Sequence, residues 1–230
     1  MRAYQGNAQA NVERTITITY PRSCQAVGQT YLSALGWRYF LQHPDSSGDW
    51  ALSTHGFADF VEKLDAIAEH DIEYLPDLLR LEWACQHAER AENEILDART
   101  LSLLEEQDAK RLRLVFGKDM SLLRSLHPLD QLAQLNEIND RLSPNERASI
   151  IDSIKEHYDE SSEQFLCIYR EGYKARYIVM NAGLFEWLSA AKSGLNFDEL
   201  VSLTLAHDLE LSTVLQTLIS RGWLKRIETM

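Results

Sequence analysis

The chain has 230 residues, 45% of them hydrophobic and 25% charged, which suits folded domains and excludes a wholly disordered protein. Its formal net charge of −12 disfavours nucleic acid, because neutralising phosphates requires a concentrated basic face. Only two thin basic groups are visible, Lys110, Arg111 and Arg113 in one place and Arg221, Lys225 and Arg226 in another. No run approaches the roughly 20 apolar residues of a membrane span, and the first residues lack a signal peptide's apolar core, so the expected compartment is the cytoplasm. The three cysteines, Cys24, Cys85 and Cys167, are widely spaced and odd in number, which fits small buried hydrophobes in a reducing compartment better than a disulfide framework.

The first part of the chain reads as helices. Tyr4 to Tyr20 ends in strand-like alternation, yet the preceding Ala, Gln and Glu favour helix, and helix is the expectation. Pro21 opens a short helix that Gly28 ends, and Gln29 to Gln42 carries Tyr31, Leu32, Leu35, Tyr39 and Phe40 along one side. Ser46 to Asp49 reads as a loop. Ser53 or Thr54 is expected to cap a helix whose Phe57, Phe60, Val61, Leu64 and Ile67 repeat at three and four. Pro76 opens another helix, running to about Ala91.

The pattern changes after Glu94. Arg111 to Phe116 alternates polar and apolar, as a half-buried strand does. Ser143-Pro144-Asn145-Glu146 places a capping serine, a proline at the first helical position and a glutamate three residues after the cap, predicting a helix to about Tyr158. A polar linker over Asp159 to Glu163 leads to a hairpin of Phe165 to Arg170 and Lys174 to Met180, joined across Glu171-Gly172-Tyr173. Asn181 caps a helix ending near Gly194; helices over Asp198 to Ala206 and Leu209 to Arg221 and a strand over Trp223 to Ile227 complete the pattern. The expected fold class is α+β, with a helical domain at 1–94, connecting strand and helices at 95–163, and a smaller winged-helix-like domain with a β-hairpin at 164–230.

Seven histidines show no i, i+4 pair and no Cys-x-x-Cys neighbour, so no metal-ligand spacing is visible. Phosphate-binding glycine loops and nucleophile elbows are absent as well. The most informative segment is Tyr74 to Ala84. On a helix advancing about 100° per residue, Leu78, Leu81, Cys85 and Ala88 form one stripe, with Glu82 at its edge. A carboxylate there is expected to be partly buried and needs a partner, and a structural salt bridge to an arginine of the same domain accounts for it better than a catalytic acid. Arg80 and His87 point away from the stripe, where solvated surface explains them slightly better than contact with another protein.

Tyr4 with Asn7, Tyr20-Pro21, Val27-Gly28, His43-Pro44 before Ser46-Ser47, Gly56-Phe57 with Phe60, and above all Tyr74 to Ala84 resemble the N-terminal domain of the HvfC/MbnC-type family. The resemblance continues more weakly through Leu112 to Pro128 and the hairpin domain. It departs in a missing or shortened opening helix and in a longer Leu129 to Tyr158. What it implies is a non-catalytic partner subunit, a heterodimer with a TIM-barrel-like multinuclear iron enzyme that oxidatively remodels cysteines of ribosomally made precursor peptides, as in methanobactin and related copper-binding products. Iron would belong to that enzyme, with no cofactor bound by this chain. The implied partner surface comprises Tyr74, Asp77, Arg80 and His87. The same family has carried a DNA-binding label, so a transcriptional regulator is the rival reading, although Leu209 to Arg221 offers only Gln216 and Arg221 beside Glu210. A free-standing enzyme ranks third. For the peptide, the expected surface is Lys174, Arg176, Tyr177, Ile178 and Val179: if this strand is a sheet edge it can accept an extended leader, with Lys174 and Arg176 drawing acidic residues.

Overall fold

A computed structural model describes residues 2–44, 54–134, 143–157 and 163–230. The expected loop at Ser46 to Asp49, the capping position Ser53, the end of the helix at Tyr158 and most of the linker at Asp159 to Glu163 lie outside these. Helices α1 (Arg2–Thr19), α2 (Pro21–Val27), α3 (Gln29–Gln42), α4 (Phe57–Glu62), α5 (Ala66–Glu69) and α6 (Leu75–Arg90) open the chain. Two 3-10 turns flank α7 (Leu103–Glu106), then come strands β1 (Leu112–Phe116) and β2 (Ser121–Ser125) and helices α8 (Leu129–Gln134) and α9 (Pro144–His157). The hairpin of β3 (Gln164–Glu171) and β4 (Lys174–Met180) is followed by α10 (Ala182–Ser193), α11 (Phe197–Ala206), α12 (Leu211–Ser220) and β5 (Leu224–Thr229). The class is α+β, as expected. Among the described residues no helix is long and apolar enough to cross a membrane.

The chain forms two compact units, Met1–Gln86 with Ser125–Gln164, and His87–Arg124 with Phe165–Met230. The segment 95–163, expected to connect two domains, thus divides between them. Its second half belongs with the first unit because α9 packs on α2 and the Ser125 hydroxyl donates to Asp77 at 2.7 Å.

In the first unit, Val12, Ile16 and Tyr20 recur every fourth residue and are all at least 95% buried, so helical spacing overrides the local alternation of Thr15 to Tyr20. A Cβ at Gly36 would lie 2.5 Å from Ile16 Cγ1, so this glycine lets α3 approach α1. The expected cap at Thr54 is not formed: Thr54 is buried with its carbonyl accepting the Tyr20 hydroxyl at 3.0 Å, and α4 starts after Gly56 without a side-chain cap. The single helix expected over Phe57 to Ile67 is two, since Leu64 N–H bonds to Val61 and Ile67 N–H to Leu64, tightening the chain between α4 and α5. Ser143 and Glu146 form the predicted reciprocal cap of α9, with the Ser143 N–H and hydroxyl both 2.7 Å from Glu146 Oε2.

In the second unit, β1 pairs antiparallel with β5, and β3 lies between β2 and β4. Strand β2 was not anticipated; its five residues carry adjacent leucines rather than alternation. Asn181 and Asn196 cap α10 and α11 through the N–H groups of Leu184 and Glu199, and Glu199 answers the Asn196 N–H to complete a capping box. The core gathers Leu112, Leu114, Cys167, Trp187, Leu200, Leu218 and Trp223, with the Trp187 indole N–H donating to Leu200 O and Thr204 Oγ1. Burial pushes the Cys24 and Cys167 thiols up to about 12, which keeps them protonated and inert.

Candidate functional site

Glu171 and Lys174 face each other across a two-residue turn in which Gly172 adopts φ 64° while Tyr173 keeps a negative φ, the type II′ geometry that suits strand twist. Tyr173, at the tip, is 95% exposed. Such a turn makes Glu171 and Lys174 a mutually hydrogen-bonded pair, so the same holds for Tyr169 with Arg176 and Cys167 with Ile178. The N–H groups of Ala175, Tyr177 and Val179 therefore face away from β3, and the Ala175 N–H does donate outward, to Glu89 Oε1 at 3.0 Å. Strand β4 is an edge, since β3 is its neighbour on one side and no strand flanks it on the other among the described residues.

Side chains sort by the same alternation. Ile178 and Met180 pack on the core of the second unit, while Lys174 and Arg176 extend that face beyond the core and are exposed. Ile178 was expected to help hold a peptide; the turn's parity instead gives its backbone to Cys167 and its side chain to the core. Arg176 meets Glu171 at 3.4 Å, which tempers the positive charge expected there. On the opposite face Tyr177 is half-buried and Val179 half-exposed.

A buried ionic cluster supports this end of the hairpin. Arg170 and Lys225 lie 3.9 and 3.5 Å from the two Asp119 carboxylate oxygens, all three side chains being at least 90% buried. Arg170 also donates to the carbonyls of Ala91 and Glu92 and to the Asn93 side chain, and Lys225 to the Glu94 carbonyl. The chain directly after α6 is thereby tied to the strand residue that pairs with Ala175.

The residues expected on the partner surface fare differently. Tyr74 is 3% exposed and part of the packed interior, so its ring offers no surface in the free chain. Asp77 accepts from Ser125 and pairs with Arg80 at 2.9 Å, and Arg80 reaches Asp59 and Glu62 of α4 at 2.7 and 2.6 Å. Arg80 thus ties α4 to α6; helical spacing turned it away from the apolar stripe but could not show three acids converging on it. His87 is half-buried and belongs to the second unit.

Glu82 is 4% exposed, more deeply buried than its place at the stripe's edge implied, and its partners are not an arginine guanidinium. Pro21 occupies the first position of α2, and the next two N–H groups, of Arg22 and Ser23, donate to the carboxylate at 2.5 and 2.9 Å, with the Ser23 hydroxyl at 2.6 Å. The carboxylate fills the donors a helix start leaves unsatisfied, and the Arg22 charge adds attraction. Burial nevertheless outweighs these donors and pushes the Glu82 carboxyl up to about 7.

Among the described residues no group of three or more His, Cys, Asp or Glu side chains could hold a metal ion. Neither the family models nor the curated proteins compared with this chain match it.

Proposed function

We propose that this chain is a non-catalytic partner subunit that binds the leader of a ribosomally made precursor peptide along the outer edge of β4 and presents the peptide's cysteines to a multinuclear iron enzyme. The observation that carries the reading is the edge itself: Val179 and its alternate neighbours aim backbone donors away from β3, the arrangement that accepts an extended peptide as one more strand. Backbone pairing tolerates variation in the peptide, while the exposed Lys174 and Arg176 favour acidic residues. The enzyme, its TIM-barrel-like fold and its iron come from the HvfC/MbnC-type resemblance of Tyr74 to Ala84 and the motifs before it; the modified product would be a copper-binding peptide of the methanobactin kind. In this reading iron ligands and oxidation chemistry belong to the partner, and this chain supplies binding and orientation.

Co-expression with a neighbouring barrel enzyme and a short cysteine-containing peptide tests it. The expected results are co-purification at micromolar concentration and a mass change on the peptide that requires this chain. Separate migration of the two proteins, together with full modification in this chain's absence, would reject the subunit role.

A further inference from the structure

The first outward donor of β4 is already engaged. Glu89, at the end of α6, places Oε1 3.0 Å from the Ala175 nitrogen, where the carbonyl oxygen of an added strand would come. Its position is built rather than incidental: Arg170, the cross-strand partner of Ala175, holds the two carbonyls that follow α6 and lies against buried Asp119. At the other end of the strand Val179 is 50% exposed and its N–H faces away from β3. The two ends of one edge therefore differ: one donor is engaged by a carboxylate, and at the other end no strand flanks the donor among the described residues.

The geometry points to Glu89 as a register stop: an extended peptide strand adds along the Met180 end of β4 and is halted before Ala175. The carboxylate stops it in two ways. It occupies a donor that a further backbone carbonyl would need, and it repels acidic side chains that Lys174 and Arg176 would otherwise draw toward the turn. Edge strands commonly carry charges that limit which strands may pair with them, and here the charge limits where pairing ends. This inference rests on the peptide-edge reading and specifies it: the occupant is an extended segment fixed in register by its encounter with Glu89, so the distance from that segment to the presented cysteine is set.

The test uses the full chain and, as probe, a synthetic peptide copying Lys174 to Met180 with Lys174→Glu and Arg176→Glu, so that its alternation matches the edge and it carries the acidic residues the edge would draw. Amide exchange at Ala175 and Val179 is followed by NMR in the wild type, Glu89→Ala and Glu89→Gln. Without peptide, Ala175 should exchange roughly fivefold faster in Glu89→Ala, the factor expected for one lost hydrogen bond, with Glu89→Gln close to the wild type because its amide oxygen still accepts. With peptide, Val179 should gain protection in all three proteins and Ala175 only in Glu89→Ala. Peptide-induced protection of Ala175 in the wild type, or one and the same pattern in wild type and Glu89→Ala, overturns the register stop while leaving the edge intact. Protection at neither amide in any protein overturns strand addition at β4, and the stop with it.

Discussion

Glu82 illustrates what a single residue's surroundings decide. Its carboxyl holds a proton up to about 7 in the folded chain, against 4.5 for an ordinary glutamate, so folding takes up a proton between those values. Its favourable contribution is complete below 4.5 and is lost as pH rises through 7. Glu82→Gln removes the titration, so the stability of the wild type relative to the variant should fall by about 2–3 kcal/mol between pH 5 and pH 8 in urea melts. A difference that stays constant over that range would mean Glu82 is ionised throughout. Gly117 gives a second prediction at this scale. A Cβ there would overlap Asp119 Oδ1 and Lys225 Cε, both side chains being buried and tethered, so Gly117→Ala should cost about 1–3 kcal/mol. A thermal melt of the variant measures it, and an unchanged midpoint would show that the cluster yields freely. The burial of Glu82 was legible from spacing on α6; the α2 amides that receive it, some 60 residues earlier in the chain, were not.

At the scale of elements, the hairpin's parity separates two proline substitutions. Arg176 donates across the ladder to Tyr169, so Arg176→Pro removes a sheet bond and should lower stability by about 3 kcal/mol. Val179 faces outward, so Val179→Pro should cost clearly less and leave the chain folded while weakening peptide binding. Calorimetric titration beside the melt of each variant checks this; full peptide affinity in folded Val179→Pro would move the peptide elsewhere. Asn196→Ala should destabilise the second unit by about 1 kcal/mol, since it empties the capping box of α11, and the melt should show it without any change in peptide affinity. Caps and turns of this kind were readable because their chemistry lies within three or four residues. The hairpin and the starts of α9 and α10 fell where Ser143, Gly172 and Asn181 placed them. Strand β2 escaped because its pairing with β3 is a long-range event with no local period.

Across the whole molecule, charge argues against nucleic acid. The chain carries a net −12, and α12, the helix that would enter a groove in a winged-helix reading, exposes Ser212, Thr213, Gln216, Ile219 and Ser220, with Glu210 before it. Among the described residues α12 itself carries no Lys or Arg, and Arg221, which follows it, donates to the Tyr169 hydroxyl. Sequence-specific duplex binding is therefore expected to be absent at submicromolar concentration in fluorescence anisotropy; tight binding that weakens with salt would restore the regulator.

The sequence by itself determined the α+β class, the helical character of the first part, the hairpin and the edge position of Glu82 on its stripe, because each follows from periodicity and turn chemistry within one element. Only the tertiary structure decided that β4 is an edge, that Tyr74 is interior, that Arg80 is committed to three acids and that Glu89 closes the donor of Ala175, 86 residues away. Those outcomes depend on which distant segments meet, and residues 125–164 show the principle plainly. They follow the strands of the second unit in the chain yet pack with the first, since burial is satisfied by neighbours in space and local pattern does not name them.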